Sequence, residues 1–182
     1  MKLMIASDIH GSSYYCRKLI EKLNEENADR LLLLGDILYH GPRNDLPKEY
    51  NPKSVIEMLN AVKNKIFCVR GNCEAEVDQM VLDFPCLADY AIFDICGKTI
   101  YATHGHIYSE NKLPPMCSGD ILLCGHTHVP KCCEHENFIY MNPGSVSIPK
   151  ENSYNGYMTL CGGTFLWKDF DGNTRNKFSI AI

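Results

Sequence analysis

The sequence predicts an α/β protein in which two sheets pack face to face with helices outside. Two observations carry this. From Lys2 to Val69, apolar runs of strand length alternate with helical stripes, the βαβαβ order that builds a parallel core. From Tyr90 onward the stripes stop, and short apolar runs succeed one another between turns containing Gly or Pro, the pattern of sheet with little helix.

Each element has a local reason. Lys2 to Ser7 is a short apolar strand. Ser12 or Ser13 can cap a helix whose buried stripe is Cys16, Leu19, Ile20 and Leu23, a spacing of three and four. Arg30 to Leu34 is almost wholly apolar, as expected of a strand covered on both faces. Asn51-Pro52 pairs an N-cap with Pro at the first helical position, before the stripe Val55, Ile56, Leu59 and Val62. Lys65 to Val69 is the third strand. Tyr90 to Ile95 and Lys98 to Thr103 flank Cys96-Gly97, which reads as a hairpin turn. Asp120 to Cys124 is a further buried strand, and Phe138 to Met141, Tyr157 to Cys161 and Thr164 to Phe170 complete the set. The strands of this second half read as antiparallel. Residues 40–50 and 111–118 are the longest loops. No linker, repeat or low-complexity tract divides the chain, so 1–182 is expected to be one domain.

Composition limits the function classes. The chain has 182 residues, 45% of them hydrophobic, and a formal net charge of −4, enough for a sizeable core. No apolar run approaches the roughly 20 residues that span a bilayer, and Asp8 and His10 arrive too early for a signal-peptide core. The 18 Lys and Arg are scattered, which argues against a nucleic-acid binder relying on a basic stripe. Ten cysteines contain no Cys-x-x-Cys pair, so the zinc-knuckle and thioredoxin readings lack their main support. Cys68, Cys96, Cys124 and Cys161 lie in apolar runs and are expected to act as small hydrophobes. The cysteines are therefore expected to be reduced and mostly structural, in the cytoplasm.

The residues just beyond each strand carry the chemistry. Asp8 and His10 come after the first strand, Gly35-Asp36 after the second, Gly71-Asn72 after the third, His104 after the run ending at Thr103, and Gly125-His126-Thr127-His128 after the run ending at Cys124. Ligands of open α/β sheets bind beyond the carboxyl ends of strands, so these groups can converge. Alone, Asp-x-His is commonly a cap, Gly-Asp and Gly-Asn are common turn dipeptides, and His-x-His is compatible with an ordinary strand. Together, two carboxylates, one amide oxygen and four imidazoles are more donors than one ion of this ligand type takes. Two ions sharing a carboxylate would use them well. Imidazole mixed with carboxylate suits Mn, Fe or Zn better than Ca or Mg. Two divalent ions are expected, Mn2+ first, with Fe or Zn as alternatives.

Asp8-x-His10, Gly35-Asp36, Gly71-Asn72, His104 and Gly125-His126-x-His128, in this order, resemble the motifs of the calcineurin-like metallophosphoesterase superfamily. Asn142-Pro143-Gly144-Ser145 is also common in its small members. Within the superfamily, GDILYHGPRN, VRGNCE and CGHTHVP look most like the YfcE-type bacterial phosphodiesterases. The resemblance implies a four-layer αββα sandwich of two mixed sheets flanked by helices. It implies that Asp8, His10 and His128 hold one metal, that Asn72, His104 and His126 hold the other, and that Asp36 bridges them. It implies phosphodiester hydrolysis by a hydroxide shared between the metals, a small phosphodiester as substrate, and self-association into a homo-oligomer as an open question.

Many superfamily members carry Gly-Asn-His-Asp/Glu where this chain reads Gly71-Asn72-Cys73-Glu74. There the His protonates the leaving oxygen and the acid orients it. Cys73 is read here as a substitute that leaves general-acid catalysis impaired, with weak proton donation still open because nearby metals would lower its pKa. His106 is expected near the site rather than as a ligand. His40 or Arg43 can grip phosphate, His40 reading equally as a plain loop residue. His40 or His106 can take over proton donation. Tyr39 and Tyr108 can line a leaving-group pocket, although aromatics near loops are usually packing. His135, between Glu134 and Glu136, is expected to face solvent. Three rival readings are a phosphomonoesterase or phosphoprotein phosphatase of the same fold, a nuclease, and a non-catalytic scaffold like the superfamily's retromer subunit. The complete donor set argues against the last.

Overall fold

The computed structural model describes residues 1–180. Its elements are β1 (Lys2–Ala6), α1 (Ser13–Glu25), β2 (Arg30–Leu33), α2 (Pro52–Ala61), β3 (Ile66–Cys68), α3 (Glu76–Gln79), β4 (Tyr90–Ile95), β5 (Lys98–Thr103), β6 (Asp120–Leu123), β7 (Pro130–Glu134), β8 (Phe138–Pro143), β9 (Gly156–Cys161), β10 (Thr164–Asp169) and β11 (Thr174–Ser179). One sheet runs β11-β10-β9-β1-β2-β3, the other β4-β5-β6-β8-β7. Both are mixed. No helix of the described residues is long and apolar enough to cross a membrane.

Strand alternation sorts the apolar residues into layers. Leu3, Ile5, Leu32 and Leu34 face the other sheet and meet Ile100, Ala102, Ile121, Leu123 and Met141. Met4, Ala6, Leu31 and Leu33 face outward onto Cys16, Leu19 and Leu23 of α1 and Val55 and Leu59 of α2. The caps are as expected. Ser12 Oγ accepts from the Tyr15 amide, and Asn51 Oδ1 accepts from the Ser54 amide. The outer face of the second sheet is covered differently. Tyr101, Leu122, Cys124, Phe138 and Tyr140 pack under Tyr108 and Met116, so loop residues between β5 and β6 supply this layer.

Two expectations need correction. The second-half strands are not uniformly antiparallel: β5 pairs β6 in parallel, and β6 pairs β8 in parallel. The segment between β5 and β6 returns the chain without a helix, so it carries no helical periodicity to announce a crossover. Cys96 and Cys161 are exposed, unlike the buried Cys68 and Cys124. Cys96 occupies a turn with Gly97 at φ 54° and 72°, outside the packed ladder. Two strands carried no apolar signal. β7 and β11 are edge strands rich in charged and polar residues, as exposed edges commonly are.

Parallel register has a functional consequence. β1, β2 and β3 run in parallel, and so do β5, β6 and β8. The segments that leave their carboxyl ends gather the candidate donors at one rim.

Candidate metal centre

Asp8, His10 and His128 bring one donor atom each within 4.8 Å of one another, and so do Asp36, His104 and His126. Asp36 lies between the two groups. Its Oδ2 is 3.4 Å from His104 Nε2 and 3.7 Å from His10 Nε2. Asn72 Oδ1 is 3.1 Å from His104 Nε2. All seven residues expected to hold metal therefore meet at one place.

The imidazoles are aimed from behind. His10 Nδ1 lies 2.7 Å from the Tyr39 carbonyl, His104 Nδ1 2.6 Å from the Leu34 carbonyl, and His128 Nδ1 2.6 Å from the Ile148 carbonyl. A carbonyl only accepts, so each Nδ1 carries the proton. In the neutral ring Nε2 then presents a lone pair. The inward nitrogens face one another: His10 Nε2 is 3.2 Å from His128 Nε2, and His104 Nε2 is 3.2 Å from His126 Nδ1, a ring that no carbonyl locks. Asp8 Oδ1 is buried without a hydrogen-bond partner among the described residues. The donor set fits divalent cations.

The same groups also shift one another's protonation. Burial works to raise the Asp8 carboxyl, but the adjoining His10 and His128 hold it well below the usual range. Burial opposes His104 protonation, yet Asp36 and then Asp8 lift its pKa to about 9. His106 goes the other way, lowered to about 4 by burial and then by His104 and His126.

The backbone is strained where the donors sit. Asp8, His10, Asp36, His126 and His128 all have positive φ, between 50° and 66°, a region that non-glycine residues rarely enter and that clusters at functional sites. Hydrogen bonds hold it there. The Asp8 carbonyl accepts from Ser145 Oγ at 2.9 Å and Ser147 Oγ at 3.1 Å. The Asn142 amide donates to the Gly125 carbonyl at 2.7 Å. The Asn-Pro-Gly-Ser segment thus supports the site from beneath. Gly35 and Gly71 let two of the loops touch, since a Cβ on Gly35 would fall 2.3 Å from the Gly71 amide nitrogen.

The remaining candidates separate. Cys73 Sγ donates to Asp36 Oδ2 at 3.3 Å, and its amide donates to Asp36 Oδ1 at 2.9 Å. In the protein's own field, before any metal charge is added, burial and then Asp36 push the thiol up. Glu74 does not orient Cys73. Its Oε2 accepts from the Asp36 amide at 2.8 Å and the Gly71 amide at 2.5 Å, and its Oε1 from the Ile37 amide at 2.7 Å. It clamps the loop after β2 to the loop after β3. His106 lies beside the centre, with its ring 5.4 Å from that of His104. His40 packs edge-on between Tyr39 and Tyr50, while Arg43 lines the cleft over the centre. That cleft has a volume of about 460 Å³, and Asn44, Thr127 and Lys150 also line it. Tyr108 packs edge-on against Tyr101, the packing role usual for an aromatic near a loop. Lys150 had no sequence signal, because a lone Lys in a loop has no spacing to read.

Comparison with known proteins agrees with this geometry. Residues 1–161 match the calcineurin-like phosphoesterase superfamily domain. The chain is 45% identical over 160 residues to phosphodiesterase YfcE of Escherichia coli K12, covering 88% of this chain and 87% of that protein. It is 28% identical over 152 residues to phosphodiesterase MJ0936 of Methanocaldococcus jannaschii, covering 79% and 83%. The solved structure of the E. coli phosphoesterase YfcE superposes with a TM-score of 0.96 at 40% identity, covering 100% of both chains. Vps29 of Entamoeba histolytica shares the fold at a TM-score of 0.62 and 17% identity, covering 100% of both chains. The matched span contains every candidate donor from Asp8 to His128, and the chain belongs to the calcineurin-like phosphoesterase superfamily.

Proposed function

We propose that the chain, acting as one domain over 1–182, is a metal-dependent phosphodiesterase for small phosphodiesters. The observation that carries this reading is the set of four imidazoles, three of them locked by backbone carbonyls, whose inward nitrogens face one another around Asp8 and Asp36. Asp8, His10 and His128 would hold one divalent ion, and Asn72, His104 and His126 the other, with Asp36 shared. Two such ions, Mn2+ first and Fe or Zn as alternatives, would supply Lewis acidity and a water that ionises near neutral pH when bound. The names of YfcE and MJ0936 support diesters as the substrate class. The ten unpaired cysteines support a reducing compartment, the cytoplasm.

The chain's own groups would do the rest. Arg43 and Lys150 line the cleft, where they can pair with phosphate oxygens that do not react. In the protein's own field burial and then Asp36 hold the proton on Cys73 Sγ, and a thiol so held transfers it poorly to a leaving oxygen. Substrates whose leaving groups need no proton, such as aryl diesters, are therefore favoured. The likeness to Vps29 is one of fold alone. The complete donor set favours an enzyme over a scaffold.

The test is hydrolysis of bis(p-nitrophenyl) phosphate and of p-nitrophenyl phosphate, with Mn2+ and with chelator. Chelator-sensitive turnover that favours the diester is expected. Preference for the monoester would favour a phosphomonoesterase. No turnover with any divalent ion would overturn the enzymatic reading and leave the scaffold.

A further inference from the structure

We infer that the outer face of the second sheet carries a separate site for a thiophilic divalent cation of the Zn2+ class, formed by Glu110, Cys133 and His135. One donor atom from each lies within 4.8 Å of the other two. The set is a carboxylate, a thiol and an imidazole, and none of them lines the cleft at Asp36. Thiolate with imidazole selects Zn2+ and similar borderline-soft ions over Mg2+, Ca2+ or Mn2+. Three protein ligands leave a fourth, tetrahedral position to water.

Two tight turns preorganise the donors. Ser109 and Lys112 exchange backbone hydrogen bonds at 3.0 Å in both directions, which puts Glu110 in the turn between them. Cys133 lies in β7, and His135 comes two positions on, just after the strand's last residue, Glu134, which brings both to the same side of the edge strand. The His135 amide donates to the Phe138 carbonyl at 2.9 Å. Its ring stacks on Phe138 with centroids 4.3 Å apart at 9°, and this aims Nε2 at Glu110 Oε1, 3.1 Å away. His135 is exposed, as expected from its place between Glu134 and Glu136, yet its ring is held in one orientation.

Lys131 decides between this reading and a plain surface ion pair. Its Nζ donates to both Glu110 oxygens, at 2.8 and 2.9 Å. A metal ion entering the site replaces that ammonium, and the Cys133 thiol releases its proton to solvent. The carboxylate thus exchanges one cation for another. Removing Lys131 should tighten metal binding, a result that an ordinary ion pair does not predict. Occupancy would tie the loop covering the second sheet to its edge strand.

Cobalt titration in a phosphine reductant tests the site, because thiolate bound to Co2+ gives a near-ultraviolet charge-transfer band. The band is expected in the wild type and in Cys73→Ser, displaced by Zn2+, and lost in Cys133→Ser and His135→Ala. In Lys131→Ala it is expected at lower cobalt concentration. A second measurement needs no variant: Zn2+ should slow iodoacetamide alkylation of Cys133 in the wild type, read by peptide mass. No band, a band that survives Cys133→Ser or vanishes in Cys73→Ser, or unprotected Cys133 would each overturn the inference.

Discussion

Replacing Glu74 tests the clamp beneath the candidate metal centre. Glu74 is 7% exposed, and its carboxylate takes the amides of Asp36, Ile37 and Gly71. In Glu74→Gln the best placement keeps the carbonyl oxygen on Asp36 and Gly71 and turns the NH2 toward the Ile37 amide. One buried donor then faces another, a loss of ~1–3 kcal/mol. The two retained bonds lose their charge assistance, ~1 kcal/mol each. Burial pushes the Glu74 carboxyl up, so removing the charge offsets part of this. The expected net loss is ~2–4 kcal/mol, a large share of the ~5–15 kcal/mol that holds a domain together. Glu74→Ala strands all three amides and should cost ~4–6 kcal/mol. Urea unfolding of metal-free protein, followed by circular dichroism, measures both. If Glu74→Gln unfolds within ~0.5 kcal/mol of wild type, or if Glu74→Ala is no worse than Glu74→Gln, Glu74 is not the clamp.

Cys73→His places an imidazole where many superfamily members carry their proton donor, and proton donation contributes ~10²–10⁴-fold. Alkyl diesters should gain relative to aryl diesters in kcat/KM, and an unchanged ratio would refute the role given to Cys73. Gly71→Ala would put a Cβ 2.1 Å from Asp36 Oδ1 and 2.5 Å from the Asp36 amide nitrogen. It should abolish Mn2+-dependent turnover and lower stability by ~2–4 kcal/mol; retained turnover with native Mn2+ affinity would show that the two loops can separate. Glu26 is held at about 2, from 4.5, against burial, by Lys168 and Lys2. A depressed carboxylate adds stability above its unfolded value, so the contribution is complete above about pH 4.5 and lost as pH falls toward about 2. Glu26→Gln should cost ~1–2 kcal/mol at neutral pH after discounting for solvent screening. That difference from wild type should shrink in unfolding titrations below pH 4.5, and a pH-independent difference would refute the linkage.

The elements that read clearly in the sequence were those whose side chains face two environments. α1 and α2 announced themselves by stripes and by caps at Ser12 and Asn51. β1 and β2 were legible as nearly continuous apolar runs, because helices cover one face and the second sheet the other. β7 and β11 were not legible, because an edge strand is defined by its backbone partner and its side chains remain polar. The parallel pairing of β5, β6 and β8 was hidden for a related reason, since its crossover is a loop. The donors were legible in chain order, as a short residue pattern after each strand. Their supports were not. Glu74 looked like an orienter of residue 73, but only its oxygen positions reveal the three amides it holds. Ser145 and Ser147 lie far along the chain from the Asp8 carbonyl they secure, and Lys150 reaches the cleft from a loop without periodicity.

The distribution of strain explains why these supports are needed. Asp8, His10, Asp36, His126 and His128 all occupy left-handed backbone, a conformation that costs ~1 kcal/mol or more at each residue. The same residues bury two carboxylates at the rim of the sandwich. Neither feature helps the fold. Both are tolerated because the backbone around them is satisfied from outside the donor set: Glu74 takes three amides, Ser145 and Ser147 cap the Asp8 carbonyl, and Asn142 holds Gly125. Each support touches the backbone next to a donor and leaves the donor atoms free to face inward. The mixed topology completes the arrangement. With β5 antiparallel to β6, His104 and His126 would sit at opposite ends of the sheet, and the second group of donors could not form. The parallel register that the sequence pattern did not announce is therefore what allows the donor pattern it did announce to become one site.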